Sequence, residues 1–162
     1  MIIMGIDPGS RNCGYGFLEV EKHKILAAGC GVIKNKDQSP LSERLLIIYN
    51  KLKAQIEENK PDVAAVESIF YAKNIKSSFT LGHVRGVILL LLAEYGIPCY
   101  EYSPREIKLS VVGSGSASKK QVLYMIQSIL QLKQTIITYD ASDALAIAMC
   151  LYNREKLNLF HR

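Results

Sequence analysis

Four acidic residues stand where they could do chemistry together: Asp7, Glu67, Asp140 and Asp143. Asp7 ends one short apolar run and Glu67 lies near the end of another, so both are expected at the carboxyl ends of buried strands. Asp140 and Asp143 are three residues apart at a predicted helix start and therefore share a face. Clustered carboxylates repel one another, and Mg²⁺ or Mn²⁺ is the natural compensation. Two such ions, roughly 3.5–4 Å apart, would activate a water and stabilise the leaving oxygen in phosphodiester hydrolysis.

Each of these residues also has an ordinary structural explanation. Asp7-Pro8-Gly9 is a common turn sequence. Asp140 is a typical charge at a helix N-terminus, and Asp143 is typical of a solvated first turn. Glu67 is harder to explain this way, because a glutamate within an apolar strand is rarely buried without a partner or a task. The acidic residues therefore indicate a metal site only if the fold brings them together.

Five strands and five helices are expected from the apolar patterns. The strands are predicted over residues 2–6, 14–20, 25–33, 63–69 and 98–102, and the helices over about 40–59, 76–95, 104–112 and 119–130, with a last helix from about 140 to beyond 149. Gly29 and Gly31 predict a bulge in the third strand. The helix over 76–95 is polar early and apolar nearly all round from Val87, so its far end is expected to be buried.

Local signals mark three helix starts. Ser39-Pro40 predicts a serine N-cap with proline at the first helical position. Ser103 with Glu106, and Ser118 with Gln121, have the spacing of capping boxes.

The order of these elements predicts an α/β fold with a mixed five-stranded sheet and helices on both faces. The first three strands form an antiparallel meander, and the fourth and fifth add in parallel through right-handed crossovers. The fourth strand then lies beside the first, so Asp7 and Glu67 meet at the edge where open α/β sheets bind ligands. This is the element order of the ribonuclease H-like fold, and one such nuclease domain is expected over residues 1–162.

Composition narrows the class of protein. The 162 residues are 49% hydrophobic and carry a formal net charge of +5, which suggests one domain and favours a polyanionic partner weakly. Four cysteines lack zinc-ligand spacing and are interpreted as reduced thiols of a cytosolic protein. No signal-peptide pattern is present. The longest apolar run, residues 87–93, is far shorter than the roughly 20 residues of a membrane span, so a cytoplasmic protein without membrane contact is expected.

Several segments together resemble the RuvC family of Holliday-junction resolvases along nearly the whole chain. They are Gly5-Ile6-Asp7-Pro8-Gly9-Ser10, Gly14-Tyr15-Gly16, Glu67-Ser68-Ile69-Phe70-Tyr71-Ala72-Lys73-Asn74, Leu81-Gly82-His83-Val84-Arg85-Gly86, Val111-Val112-Gly113 and Asp140-Ala141-Ser142-Asp143-Ala144-Leu145-Ala146. Ser142 stands where alanine is common in the family, and it is expected to point away from the face that Asp140 and Asp143 share.

The resemblance implies a homodimer that binds four-way junction DNA and makes paired nicks in opposing strands. It assigns metal binding to all four carboxylates, with Mg²⁺ as cofactor, Mn²⁺ as a substitute and two ions per site. The family's basic residues fall on Lys108 and Lys119, although the Lys119-Lys120 doublet leaves open which lysine is catalytic. Its junction-probing aromatic falls on Phe70, with Tyr71 interpreted as structural. A branch-migration helicase complex is a further implied partner.

Seven basic residues flank the predicted site and are candidate phosphate contacts: Lys73, Lys76, Arg85, Arg105, Lys108, Lys119 and Lys120. Phosphate contacts position DNA without reading its sequence. A solvated helix surface is the ordinary explanation for each of them, and for Lys120 above all.

Three other functions are weighed against a junction nuclease. One is a second bacterial branch of ribonuclease H-like proteins that acts on RNA, which the Phe70–Asn74 segment and the aspartate pair argue against. A sugar-kinase or actin-like ATPase needs two such domains, for which the chain is too short. A non-enzymatic DNA-binding module leaves Glu67 unexplained. For the dimer, the early part of the helix over 76–95 is the expected interface, with Phe79, Leu81 and Val84.

Overall fold

Five strands and five helices make up the part of the chain that the computed structural model describes, namely residues 1–68, 75–132 and 137–160, with side chains up to Arg154. The strands are β1 (Ile2–Asp7), β2 (Asn12–Glu21), β3 (Lys24–Lys34), β4 (Val63–Glu67) and β5 (Cys99–Tyr102). The helices are α1 (Leu41–Asn59), α2 (Ile75–Glu94), α3 (Pro104–Val112), α4 (Lys119–Ile129) and α5 (Tyr139–Phe160).

The strands form one mixed sheet in the order β3-β2-β1-β4-β5. β1 pairs antiparallel with β2, which pairs antiparallel with β3. β4 lies parallel to β1, and β5 lies parallel to β4. The predicted meander and the two parallel crossovers are therefore confirmed.

The two faces of the sheet carry separate cores, because successive side chains of a strand point to opposite faces. On β1, Ile3 packs into the core that α3, α4 and α5 cover, which includes Leu145. Met4 packs into the core under α1 and α2, which includes Ile48 and Ile88. The predicted helices on both faces are confirmed.

The start of α1 differs from its prediction. The N-cap is Pro40, the helix begins at Leu41, and no side chain caps it. The backbone N–H of Ser39 donates to the carbonyl of Lys36 at 3.2 Å, so Ser39 belongs to the preceding turn. Helical hydrogen bonding begins at the carbonyl of Pro40, which accepts from the Arg44 N–H at 3.1 Å.

The bulge predicted at Gly29 and Gly31 is also wrong. Both glycines pair regularly with β2, and the register shifts instead between Glu19 and Val20. Gly31 has a different use, because a Cβ there would lie 2.4 Å from the Tyr15 hydroxyl oxygen. This glycine leaves room for the Tyr15 ring across the strand pair.

Helix α2 exposes much of its apolar surface. Val84 and Ile88 are buried, whereas Ile75, Phe79 and Leu90 are 73%, 67% and 62% exposed. The expectation that the far end is buried all round is therefore wrong at Leu90. Within the described residues, α2 is also the one helix that is long and apolar enough to cross a membrane by length and composition. The core helix of a soluble protein passes the same test. The sequence prediction considered only an unbroken apolar run and missed this property.

Candidate active site

Asp7 and Glu67 lie side by side at one edge of the sheet. Each is the last residue of its strand. Ile6 pairs with Val66 in the parallel register of β1 and β4, so the two acidic residues are the next neighbours along these strands. Their predicted positions at the carboxyl ends of parallel strands are confirmed.

Helix α5 brings Asp140 and Asp143 to the same edge. Its first turn approaches the sheet closely because the strands carry glycine beneath it. A Cβ at Gly5 would lie 2.1 Å from the Ala144 carbonyl oxygen, and one at Gly14 would lie 2.1 Å from the Asp140 carbonyl oxygen. The helix backbone therefore rests directly on the sheet, a close approach that only glycine permits.

Three of the acidic residues and two lysines line one cavity of about 190 Å³. The polar lining is Asp7, Glu67, Asp143, Lys108 and Lys119, and the rest of the wall is Pro104, Val122 and Ile147. Asp140 is not among the lining residues, although its charge acts on Asp7. The cavity thus combines negatively and positively charged groups.

Burial and mutual repulsion disfavour the charged forms of two of these carboxylates. The pKa of Asp7 rises from 3.8 to about 8, first because the side chain is buried and then because Glu67 and Asp143 repel its charge. The pKa of Glu67 is also raised, mainly by burial and then by Asp143, while Lys119 and Lys108 oppose the shift. Positive charge placed beside these carboxylates would lower their pKa values and favour their charged forms.

Lys119 occupies the cavity, and its neighbour Lys120 does not line it. Lys119 Nζ donates to Asp143 Oδ2 at 2.9 Å. This hydrogen bond is the main reason that the pKa of Lys119 is raised. Lys119 is the first residue of α4, where Ser118 and Gln121 form the predicted capping box. Of the two lysines between which the sequence left the choice open, Lys119 is therefore the one at the cavity.

The donor set suits a hard cation, but the side chains are not arranged as a finished metal cage. Among the described residues, no three acidic, histidine or cysteine side chains converge on one point. Lys119 is hydrogen-bonded to a carboxylate oxygen of Asp143 that a cation would otherwise take. The four carboxylates of the predicted site nevertheless lie at the same edge of the sheet.

The other predicted DNA contacts are scattered around this edge. Lys76 lies in the exposed first turn of α2. Arg105 is exposed at the start of α3, and a Cβ at Gly115 would lie 2.6 Å from its Cγ, so its stem crosses the loop before α4. Arg85 is paired with Glu101 and is only 20% exposed. Phe70, Tyr71 and Lys73 fall outside the described residues.

Ser142 is buried within the first turn of α5. Its side chain is 1% exposed, and its Oγ has no hydrogen-bond partner. Helix periodicity predicted that Ser142 lies off the face that Asp140 and Asp143 share, but it did not predict this buried hydroxyl.

Comparison with known proteins gives one consistent family. A family model described as crossover junction endodeoxyribonuclease RuvC matches residues 3–151. The protein of that name from Syntrophomonas wolfei is 44% identical over 160 residues, covering 99% of this chain and 93% of its own. The one from Ruminiclostridium cellulolyticum is 42% identical over 157 residues, covering 97% and 95%.

Solved structures agree with the sequence comparison. Thermus thermophilus RuvC in complex with a Holliday junction substrate has a TM-score of 0.87 at 30% identity, covering 98% of this chain and 96% of that one. The yeast mitochondrial Holliday junction resolvase Ydc2 has a TM-score of 0.64 at 17% identity and shares the fold alone. The predicted ribonuclease H-like architecture is thereby confirmed.

Proposed function

The chain belongs to the crossover junction endodeoxyribonuclease RuvC family, and from this premise we propose that it resolves four-way DNA junctions by paired nicks in opposing strands. The chemistry of the family is endonucleolytic hydrolysis of a DNA phosphodiester bond. The observation that carries the proposal for this chain is the cavity in which Asp7, Glu67 and Asp143 face Lys108 and Lys119.

We assign metal binding to Asp7, Glu67, Asp140 and Asp143. Mg²⁺ is the expected ion, with Mn²⁺ as a substitute and two ions per site, because clustered carboxylate oxygens suit small hard cations. When bound, such ions supply an activated water and charge stabilisation for the leaving oxygen. The raised pKa values of Asp7 and Glu67 support this assignment, since added positive charge would offset the burial and the repulsion that cause them.

Lys119 and Lys108 balance the negative charge of the scissile phosphate. Lys119 Nζ donates a hydrogen bond to Asp143 Oδ2, and Lys108 lines the same cavity from α3. A fixed ammonium group stabilises the charge that develops on phosphate oxygens during displacement. We therefore assign Lys119 a catalytic role and Lys108 a phosphate contact.

DNA outside the cavity is proposed to contact basic and aromatic residues around the sheet edge. Lys76, Arg105 and Lys120 are exposed and can reach phosphates. Arg85 contributes less than its charge suggests, because its guanidinium is already paired with Glu101. The proposed roles of Phe70 at the junction centre and of Lys73 at the phosphates rest on the family resemblance.

We also propose that the protein acts as a homodimer through α2. A four-way junction needs two symmetrical cuts, and an isologous dimer presents one site to each cut strand.

The exposed apolar side chains of α2 lie along a groove of about 810 Å³, with Ile75, Phe79 and Leu90 in its lining. Gly82 and Gly86 line it too, and a Cβ at either would meet nothing within 4 Å, so a second helix can approach closely. Val84, predicted as an interface residue, is buried in the core instead.

The cellular setting is proposed from the family alone. We place the protein in the cytoplasm, where recombining DNA is accessible in a bacterium, with a branch-migration helicase complex as its partner. The exposed apolar face of α2 is assigned to the dimer and not to a membrane.

The proposal is tested by comparing substrates. The protein is incubated with three substrates, with and without Mg²⁺. They are a synthetic four-way junction, a linear DNA duplex with the same arm sequences, and an RNA with the sequence of one arm. We expect Mg²⁺-dependent, symmetrically paired nicks in the junction only. Preferred cutting of the RNA would favour the RNA-acting branch of the fold, and binding without nicking would favour a DNA-binding module.

A further inference from the structure

Side chains from two other segments hold the turn that follows Asp7. Arg44, in the first turn of α1, donates from Nη1 to Ser10 Oγ at 3.0 Å. Asn35 Nδ2 donates to the Ser10 carbonyl at 3.0 Å and to the Arg44 carbonyl at 3.2 Å. The Asn35 backbone N–H donates to the Arg11 carbonyl at 2.8 Å. The connection between β3 and α1 is therefore bonded to this turn at two successive residues.

Arg44 lies beside the turn without an ion pair to any described residue and with part of its guanidinium buried. None of the ion pairs among the described residues includes it. Its Nε is buried without a partner, as is Asn35 Oδ1. Unpaired buried polar atoms cost stability, so each one in a native fold calls for an explanation. Neither Arg44 nor Asn35 is among the residues proposed to carry out the reaction, so the proposed chemistry does not explain why they are there.

The path from Ser10 to Asp7 is short and stiff. Pro8 fixes one backbone angle between them. A Cβ at Gly9 would lie 2.0 Å from the Asn12 carbonyl oxygen, so the turn is tightly folded. Asp7 itself is held in the β1–β2 ladder opposite Gly14. A displacement of Ser10 is therefore passed to the residue that carries the proposed metal ligand.

We propose that Arg44 is a positioning residue for Asp7: through Ser10 it holds the turn of residues 8–11 so that the Asp7 carboxylate faces the metal ions. This inference rests on the proposed function, in which Asp7 is a metal ligand. Replacing a residue that orients a metal-binding side chain typically changes metal affinity or activity by roughly 10–100-fold.

The test is a calorimetric titration of the full-length protein with Mn²⁺ alone. Arg44→Met, which keeps the apolar stem, should weaken Mn²⁺ binding by roughly tenfold or more. Arg44→Lys should recover most of the affinity, because its ammonium can still donate to Ser10 Oγ. Lys51→Met removes the same charge from an exposed position of α1 and should stay within about twofold of wild type. Wild-type affinity in Arg44→Met would overturn the proposal.

Two further measurements separate positioning from general loss of structure. Ser10→Ala is a milder change and should weaken Mn²⁺ binding like Arg44→Met, and the double variant should be no weaker than the single ones. Losses that multiply in the double variant would overturn the proposal. Junction cleavage by either single variant should recover when Mn²⁺ is raised to saturation, and cleavage that stays low would equally count against it.

An Asp7→Asn sample in the same titration keeps the two ideas apart. If Asp7→Asn loses Mn²⁺ binding while Arg44→Met does not, the metal site stands and the role of Arg44 is wrong. If Asp7→Asn binds Mn²⁺ and cleaves like wild type, the proposed metal site itself fails.

Discussion

At the scale of single residues, the position of Asp7 lowers the stability of the folded protein at neutral pH. Asp7 is held where burial and three neighbouring carboxylates oppose its ionisation, which raises its pKa to about 8. Its pKa in the unfolded chain is near 3.8, so between these values the folded protein keeps a proton that the unfolded chain has lost. A folded state that binds more protons loses stability as pH rises.

We therefore predict that metal-free wild-type protein loses stability as pH rises from about 4 to about 8, and that Asp7→Asn removes much of this loss. One pKa unit corresponds to about 1.4 kcal/mol, so at pH 8 the variant should be more stable by at least about that amount. Denaturant unfolding in chelator at pH 5 and pH 8 measures the difference. Asp37→Asn, at an exposed ion pair, is the control and should change little. An Asp7→Asn protein no more stable than wild type at pH 8 would contradict the described electrostatics.

The lysine doublet offers a matched comparison within one turn of helix. Lys119→Met should lower the rate of junction cleavage by on the order of 100-fold or more, the cost of losing one fixed group that stabilises transition-state charge. Lys120→Met should lower it only slightly, because Lys120 does not line the cavity. Single-turnover cleavage with binding measured in parallel checks both. Equal losses in the two variants, or a larger loss in Lys120→Met, would refute the assignment.

At the scale of helices and strands, the local signals were only partly reliable, since the Ser39 cap and the bulge at Gly29 and Gly31 were wrong. Both capping boxes are present as predicted, because each depends on residues three apart. The order of the strands followed from connection lengths and handedness. Sequence could not choose between Lys119 and Lys120, because that choice depends on how α4 packs beside α5. The role proposed for Arg44 was missed for the same reason, since Ser10 is 34 residues away.

The packing of α5 on β1 gives a prediction at this scale. Gly5→Ala should destabilise the protein by about 1–3 kcal/mol, since its Cβ would overlap the backbone of α5. Gly29→Ala is the matched control, because a Cβ at this β3 position meets nothing within 4 Å. Alanine there should be neutral or slightly stabilising. Equilibrium unfolding of the two variants measures the difference, and a neutral Gly5→Ala would mean that α5 does not rest on the sheet as described.

For the whole molecule, the exposed face of α2 is the feature that a monomer leaves unexplained. Phe79→Glu should weaken self-association by at least about 30-fold, the equivalent of a hot spot of about 2 kcal/mol. Leu46→Glu is the control, because Leu46 is 60% exposed on α1 but does not line the groove. Sedimentation over a range of concentrations compares the two. A wild-type protein that is monomeric at all concentrations, or an undisturbed Phe79→Glu dimer, would remove α2 from the interface.

The most direct test of the central claim is to measure junction binding and junction cleavage separately in Glu67→Gln, beside the exposed β2 variant Glu19→Gln. If Glu67 holds metal, Glu67→Gln should abolish Mg²⁺-dependent nicking while it binds the junction as tightly as wild type or more tightly, because one negative charge facing the phosphates is gone. Glu19→Gln should bind and cut like wild type. Cleavage by Glu67→Gln at the wild-type rate would contradict the claim that this carboxylate cluster is the active site.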